Sequence, residues 1–236
     1  MPSSTGRSDK SRFDELFDDA VPSILAGTHL CDEVPQEGGD RWPLTAALLP
    51  NRTQHTTRVL EQLLPFAGPH HFLTGSPAAI HLTVRALEHR REHVPPDDPA
   101  VSRYLSAISR TAQQFGPLQF RLTGITLTSS GVMAAIEPMD SRPDQLAALL
   151  AAELGPDGWR EADMKRTIWY SSLLHFTGPI ARPADLVAFV ADRRHLDLGT
   201  ITVNRLSLVK FEHSTKPDGS QCMRLDELGA GPLSRT

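Results

Sequence analysis

Between Ala78 and Leu87 the sequence alternates with period two: Ile80, Leu82, Val84 and Ala86 fall on one face, and His81, Thr83 and Arg85 on the other. Such alternation commits the segment to a half-buried strand, because successive side chains leave a pleated chain on opposite sides. It also sets an imidazole and a hydroxyl on one face, roughly 6.5–7 Å apart along the strand. The pair recurs 94 residues later in Ser171-Ser-Leu-Leu-His-Phe-Thr-Gly178, a short apolar run carrying His175 and Thr177.

The segments around these runs repeat an order. The first run follows a strand over 42–49, ended by Pro50, and a helix over 52–64, ended by Pro65. An amphipathic helix over 101–115 comes next, with Pro95 to Pro99 as the break before it, then a hairpin of 118–128 and 132–136 turning at Ser130-Gly131. A helix over 142–154, ended by Gly155-Pro156, leads to the second run. A helix over 183–195, a strand over 200–211, a turn at 216–219 and a strand over 221–225 complete the chain. Each half therefore runs strand with His-x-Thr, helix, paired strands, which predicts an internal duplication. Residues 1–12 are rich in Ser, Arg, Lys and Asp and are expected to be disordered. A short helix over 13–25 and a loop over 31–41 follow. The expected organisation is a partly disordered N-terminal extension over 1–40 and one bilobed unit over 41–230.

Composition narrows the class of ligand. The chain has 236 residues, 39% hydrophobic and 22% charged, as in a soluble globular protein. A net charge of −4 supplies no basic field for duplex DNA, so a small anion bound locally is expected. The two cysteines, Cys31 and Cys222, form no metal or redox motif and are expected to be free thiols. The start reads as neither signal peptide nor membrane span, and a cytoplasmic monomer is expected.

Four histidines have Ser or Thr two positions on: His55, His81, His175 and His213. His55 falls in an expected helix, where residues two apart do not share a face. His213 falls beside the 216–219 turn. Only His81 and His175 lie in apolar strand runs at equivalent places. If the two strands face each other, one neutral imidazole can take a proton and one imidazolium can give one, since the unperturbed pKa near 6.5 allows both. The hydroxyls of Thr83 and Thr177 can donate to non-bridging phosphate oxygens. This chemistry needs no metal and no cofactor. His70-His71 make a poor chelate, because adjacent side chains in an extended chain diverge. Arg85 shares a face with His81 and is a candidate substrate contact, or else lies beyond the cleft. Lys165-Arg166 before Trp169-Tyr170 offers charge and a stacking ring, with Tyr170 the candidate contact, or else a solvated loop anchored by an aromatic. Arg90-Arg91 reads as a surface pair.

The segments Ile80-His-Leu-Thr-Val84 and Leu174-His-Phe-Thr-Gly178 resemble the paired motifs of the 2H phosphoesterase superfamily, which includes RNA 2′,3′-cyclic phosphodiesterases, also called 2′-5′ RNA ligases. The resemblance extends to the hairpin of Phe120–Leu127 with its partner through Ile136, and to the strand Thr202–Phe211. It implies an α+β fold of two pseudo-symmetric lobes, each with an antiparallel sheet and flanking helices, around a cleft. It implies that His81 and His175 form the acid–base pair and that Thr83 and Thr177 hold the phosphate. The implied activity is metal-independent hydrolysis of a 2′,3′-cyclic phosphodiester on a nucleotide or RNA terminus, with 2′-5′ RNA ligation as a related activity. The alternative is a non-catalytic module binding such a terminus in the same cleft. Two features depart from this pattern: the first 40 residues have no counterpart in it, and the loop from His89 to Pro99 is charged and Pro-rich.

Overall fold

The computed structural model describes residues 11–51, 53–164, 166–215, 217, 219 and 221–234. The expected disorder over 1–12 falls mostly outside these, as do Lys165 and part of the 216–219 turn. Helices begin where the sequence supplies caps. Ser11 accepts from the Asp14 amide to start α1 (Arg12–Leu25). Asp98 accepts from the amides of Ala100 and Val101 at 2.8 and 3.1 Å, with Pro99 in the first turn, to start α3 (Pro99–Ala112). Helix α2 (Gln54–Ala67) runs past Pro65, which sits in its last turn, and stops at Gly68 in a positive-φ conformation. Helices α4 (Arg142–Leu154) and α5 (Pro183–Ala191) follow, with a 3-10 helix over Gly155–Glu161 after α4. No helix among the described residues is long and apolar enough to cross a membrane.

The strands are β1 (Leu44–Leu48), β2 (Phe72–Leu73), β3 (Leu82–Glu88), β4 (Leu118–Thr128), β5 (Gly131–Pro138), β6 (Trp169–His175), β7 (Gly199–Val203), β8 (Arg205–Thr215) and β9 (Gln221–Pro232). They join in the order β3-β1-β8-β9-β2-β6-β5-β4-β7. Among the described residues every pairing is antiparallel except that of β2 with β9. That two-residue seam divides two α+β lobes. Helix α3 packs on β8 and β9 with α4 against its side, whereas α1 and α5 pack over β4 and α2 packs against α5 and β6. The motif strands are β3 in the first lobe and β6 in the second.

Two expectations are corrected. The run over 200–211 is two strands divided at Asn204: β7 pairs with β4 in the second lobe, and β8 pairs with β1 in the first. The hairpins also change lobes. The β4–β5 pair that follows the first motif joins β6, and the β8–β9 pair that follows the second joins β1. The repeated order in sequence therefore interleaves in space, and neither half of the sequence is a lobe. Because Asn204 alone links β7 to β8, the two halves of the sheet must turn toward each other. The Asn51 amide, just past β1, donates to the Thr202 carbonyl of β7 at 3.3 Å, and β3 comes into contact with β6.

Two irregularities aim the motif strands. In β6, Met133 pairs with Ser172 and Val132 with Leu174, so Leu173 is an extra residue. This bulge reverses the alternation and puts His175 on the same face as Tyr170 and Ser172. In β3, Ala47 pairs with Thr83 and Ala46 with Arg85, which makes Val84 the extra residue. Arg85 thereby moves to the face opposite Thr83.

Gly131 pairs with His175, and a Cβ there would sit 2.3 Å from the Leu174 carbonyl oxygen. Gly131→Ala is expected to destabilise the protein by about 2–4 kcal/mol, since backbone must shift to admit the methyl group. Urea unfolding of the two proteins checks this.

Candidate active site

The two motif histidines, from opposite lobes, line one cavity of about 650 Å³. Thr83, Ser172 and Tyr170 bring hydroxyl-bearing side chains to its wall, Thr45 lines it with its hydroxyl donated to the Pro43 carbonyl at 2.9 Å, and Arg41, Arg160 and Arg166 bring guanidinium-bearing ones. The cavity rests on a small apolar cluster separate from the main core. That cluster contains Trp42, Phe72, Val209, Phe211 and Met223. The Trp42 ring meets Phe72, His175 and Phe211 edge-on at centroid distances of 5.8, 4.7 and 5.4 Å, and Phe211 lies 5.0 Å from His81. Each aromatic contact of this kind adds about 0.5–1.5 kcal/mol beyond area burial. Trp42 reaches this place at a φ of 59°, a left-handed conformation costing about 1–2 kcal/mol for an L-residue. Its buried indole N–H has no acceptor among the described residues.

The two imidazoles are held differently. His81 places Nδ1 2.8 Å from the Ala79 carbonyl oxygen. A carbonyl can only accept, so Nδ1 carries the proton and Nε2 is left with its lone pair. Burial pushes His81 down to about 4. The Ala79 hydrogen bond opposes this, and the charges of His175 and Arg166 add to it. His175 places Nδ1 3.0 Å from Asp32 Oδ2, and both side chains are largely enclosed. Burial lowers the His175 pKa, with the Asp32 carboxylate pulling the other way and the Arg41 cation adding to the fall. Burial pushes Asp32 up, but hydrogen bonds from His175 and Arg41 outweigh it and hold the carboxyl below its ordinary range.

Asp32, Arg41, Trp42 and Ser172 were not anticipated from the sequence. Asp32 and Arg41 belong to a loop with no periodicity to mark a buried face. The loop is nonetheless anchored: the Asp32 amide donates to the Phe176 carbonyl, and Arg160 Nη2 donates to the carbonyl and carboxylate of Asp40 at 2.9 and 3.0 Å. Helix α1 lies against β4 and α5, so the described part of the first 40 residues packs with the rest of the chain. Ser172 follows only once the Leu173 bulge is known.

Of the residues expected at the site, His81, Thr83, His175 and Tyr170 line the cavity, and Thr177 and Arg85 do not. Strand β6 ends at His175, Phe176 is buried in the main core, and alternation no longer governs Thr177. Its hydroxyl donates to the His70 carbonyl, and its amide donates to Nδ1 of His71 at 3.2 Å. Nε2 of His71 donates to the Ala67 carbonyl at 3.0 Å. Both ring nitrogens of this buried residue are thus occupied, and its role is to pin the second motif. Arg85, carried away by the Val84 bulge, donates to the Gly158 carbonyl at 2.8 Å. Arg166 is held by the Val84 carbonyl at 3.2 Å and Glu161 at 2.5 Å, at the cavity wall. Trp169 is buried and donates to Asp144 at 2.8 Å. Arg90 is also buried, donating to the Phe211 carbonyl at 2.7 Å, and is not the surface residue expected. Cys31 and Cys222 are unpaired. No group of three or more His, Cys, Asp or Glu among the described residues is arranged to hold a metal.

Neither a protein-family model nor a curated protein matches the sequence. Solved structures do share the fold. A Thermus thermophilus protein, TT0787, superposes with a TM-score of 0.57 at 21% identity, covering 80% of this chain and 97% of its own. E. coli LigT complexed with 3′-AMP superposes with a TM-score of 0.54 at 14% identity, covering 82% of this chain and 99% of its own. A protein described as a phosphoesterase gives 0.53 at 14% identity, covering 81% and 98%. The two-lobed α+β fold is thus the fold of these proteins.

The low pKa of His81 couples to stability. Between pH 6.5 and about 4 the unfolded chain binds a proton at this residue that the folded chain refuses. Stability contributed by neutral His81 is complete above pH 6.5 and is lost as pH falls toward 4. The unfolding free energy is expected to drop by about 1–3 kcal/mol over that range through this residue. Urea unfolding at several pH values, with the His81→Gln protein lacking this part of the slope, measures it.

Proposed function

We propose that this chain is a 2H phosphoesterase that hydrolyses 2′,3′-cyclic phosphodiesters on nucleotides or RNA ends, using His81 and His175 as an acid–base pair without a metal. One observation carries the reading: two imidazoles from opposite lobes share a single cavity whose wall also presents hydroxyls. LigT, which has this fold, is known in complex with 3′-AMP, the kind of product such a reaction would leave.

The cavity volume suits a mononucleotide or one terminal nucleotide, falling within the roughly 300–1,000 Å³ of small-ligand sites. With phosphate between the rings, one Nε2 removes a proton from water and the other protonates the departing ribose oxygen. Thr83 and Ser172 donate to the non-bridging oxygens. Thr177 serves by fixing the backbone beyond His175 through His70 and His71. Tyr170 and the half-exposed Trp159 at the mouth give the base apolar surfaces to lie against. The active unit then includes the loop of Asp32 and Arg41 as well as residues 41–230.

The decisive measurement is turnover of 2′,3′-cyclic mononucleotides and oligonucleotide cyclic ends by the full chain in excess chelator, with products resolved by chromatography. His81→Ala and His175→Ala are each expected to lose about 10²–10⁴-fold in kcat/KM, and Thr83→Val about 10-fold to 10²-fold. Binding of 3′-AMP without turnover of any cyclic phosphate would remove the enzymatic reading and leave a binding module.

The pH dependence of kcat/KM reports the free enzyme. Both imidazoles are pushed below 6.5, so the bell requiring one neutral and one protonated ring is expected to peak on the acid side of pH 6.5. A maximum at pH 8 would contradict the pair as the acid–base groups.

A further inference from the structure

We infer that Asp32, brought to the cavity wall by the N-terminal loop, is a positioning residue that holds the Nδ1–H of His175 and makes His175 the proton donor, leaving His81 the proton acceptor. The inference rests on the acid–base reading above and adds a direction to it.

The two motifs look equivalent in sequence, so the direction must come from what each ring leans on. Both rings commit Nδ1 to the protein and keep Nε2 for the cavity. At His81 the partner is the neutral Ala79 carbonyl at 2.8 Å. At His175 it is the carboxylate of Asp32 at 3.0 Å, with only 10% of that side chain exposed. A carboxylate in a shielded place stabilises an imidazolium far more than a carbonyl dipole does. It also fixes the tautomer when the ring is neutral, as second-layer carboxylates do for imidazoles generally.

The other groups around His175 do not reverse this. Arg41 lies 3.4 Å from Nδ1, but a guanidinium has no lone pair to accept that proton, and it binds Asp32. It opposes positive charge on His175 while keeping Asp32 ionised. From the residue just before β3, across the cavity, comes His81. Trp42, Phe72 on β2 and Gly131 on β5 bring no titratable group. Farther along the wall, Arg166 is paired with Glu161, and Arg160 with Asp40 and His89.

The step balances. Water gives a proton to Nε2 of His81 as its oxygen bonds to phosphorus. The bond from phosphorus to one ribose oxygen breaks, and that oxygen takes the proton from Nε2 of His175. His175 is left neutral with Nδ1–H still on Asp32, and exchange with solvent returns one proton to it and removes one from His81.

The test is nitrogen-15 NMR on the full chain labelled at histidine, with His175 and His81 assigned from His175→Gln and His81→Gln. His175 is expected to show the Nδ1–H tautomer and to titrate above His81. In Asp32→Asn its pKa should fall by about one unit or more while that of His81 moves by no more than a few tenths. Asp32→Glu should restore part of the difference, and Arg41→Gln, which keeps the carboxylate, should raise the His175 pKa. In turnover, Asp32→Asn should lower kcat about 10-fold to 10³-fold with KM nearly unchanged, and shift only the alkaline limb of kcat/KM. An unchanged His175 titration in Asp32→Asn, or a shift of the acid limb instead, overturns the inference. Should the wild-type protein turn over no cyclic phosphate, the functional reading fails. The NMR titration then still decides whether Asp32 governs His175.

Discussion

Asn204 joins strands that belong to different lobes, and much of the molecule follows from that single covalent link. An extended run of twelve residues would normally lie along one neighbour. Here its first part pairs with β4 and its second with β1 and β9. The chain cannot satisfy both unless the outer strand of one lobe comes back to the other. The Asn51–Thr202 hydrogen bond and the contact of β3 with β6 are the closure that results. The β2–β9 seam, two residues long and parallel, keeps the two antiparallel sheets in one backbone network and is the line about which they turn toward each other. The cavity is the space that this turning encloses.

Within that frame, side-chain direction is set by counting residues. With period two, moving the register by one exchanges the faces of a strand. The Leu173 bulge is what sends His175 toward the cavity; without it the phase of Tyr170 and Ser172 would bring Leu174 there and bury the imidazole. The Val84 bulge works oppositely for Arg85, which leaves the cavity and braces the 3-10 helix at Gly158. Bulges concentrate beside functional sites because they alter aim without altering strand order. Gly131 permits this arrangement, since β5 can follow β6 past His175 only if no Cβ stands between them.

These counts explain what was legible in the sequence. Periodicity and caps located α1, α3, α4 and the β4–β5 hairpin closely, because local chemistry decides them. Period two in Ile80–Ala86 identified the strand and the facing of His81 and Thr83. It could not reveal an extra residue, since a bulge leaves composition unchanged, and so Arg85 and Ser172 were misread or missed. The division at Asn204 was hidden for a similar reason: both pieces are apolar and extended, and only their partners differ. Thr177 failed as a cavity residue because its strand ends two positions earlier. Asp32 had no local signal, being an acidic residue in a polar loop whose meaning comes from a ring 143 positions away.

The loop from Asp32 to Trp42 shows why such residues are the hardest to read. It contributes little regular structure, yet it carries the carboxylate beside His175, the cation that pins that carboxylate, and the ring that packs against both Phe72 and Phe211. Holding Trp42 at positive φ costs about 1–2 kcal/mol, and the contacts of one large aromatic with three rings offset it. The strained residue is therefore held by the packing that forms the cavity floor. The loop's polar end, tied through Asp40 to Arg160, fixes its other side. Two nearly identical sequence motifs thus acquire unlike environments from a segment that belongs to neither, and a pair of equivalent imidazoles would have no reason to pass protons in one direction.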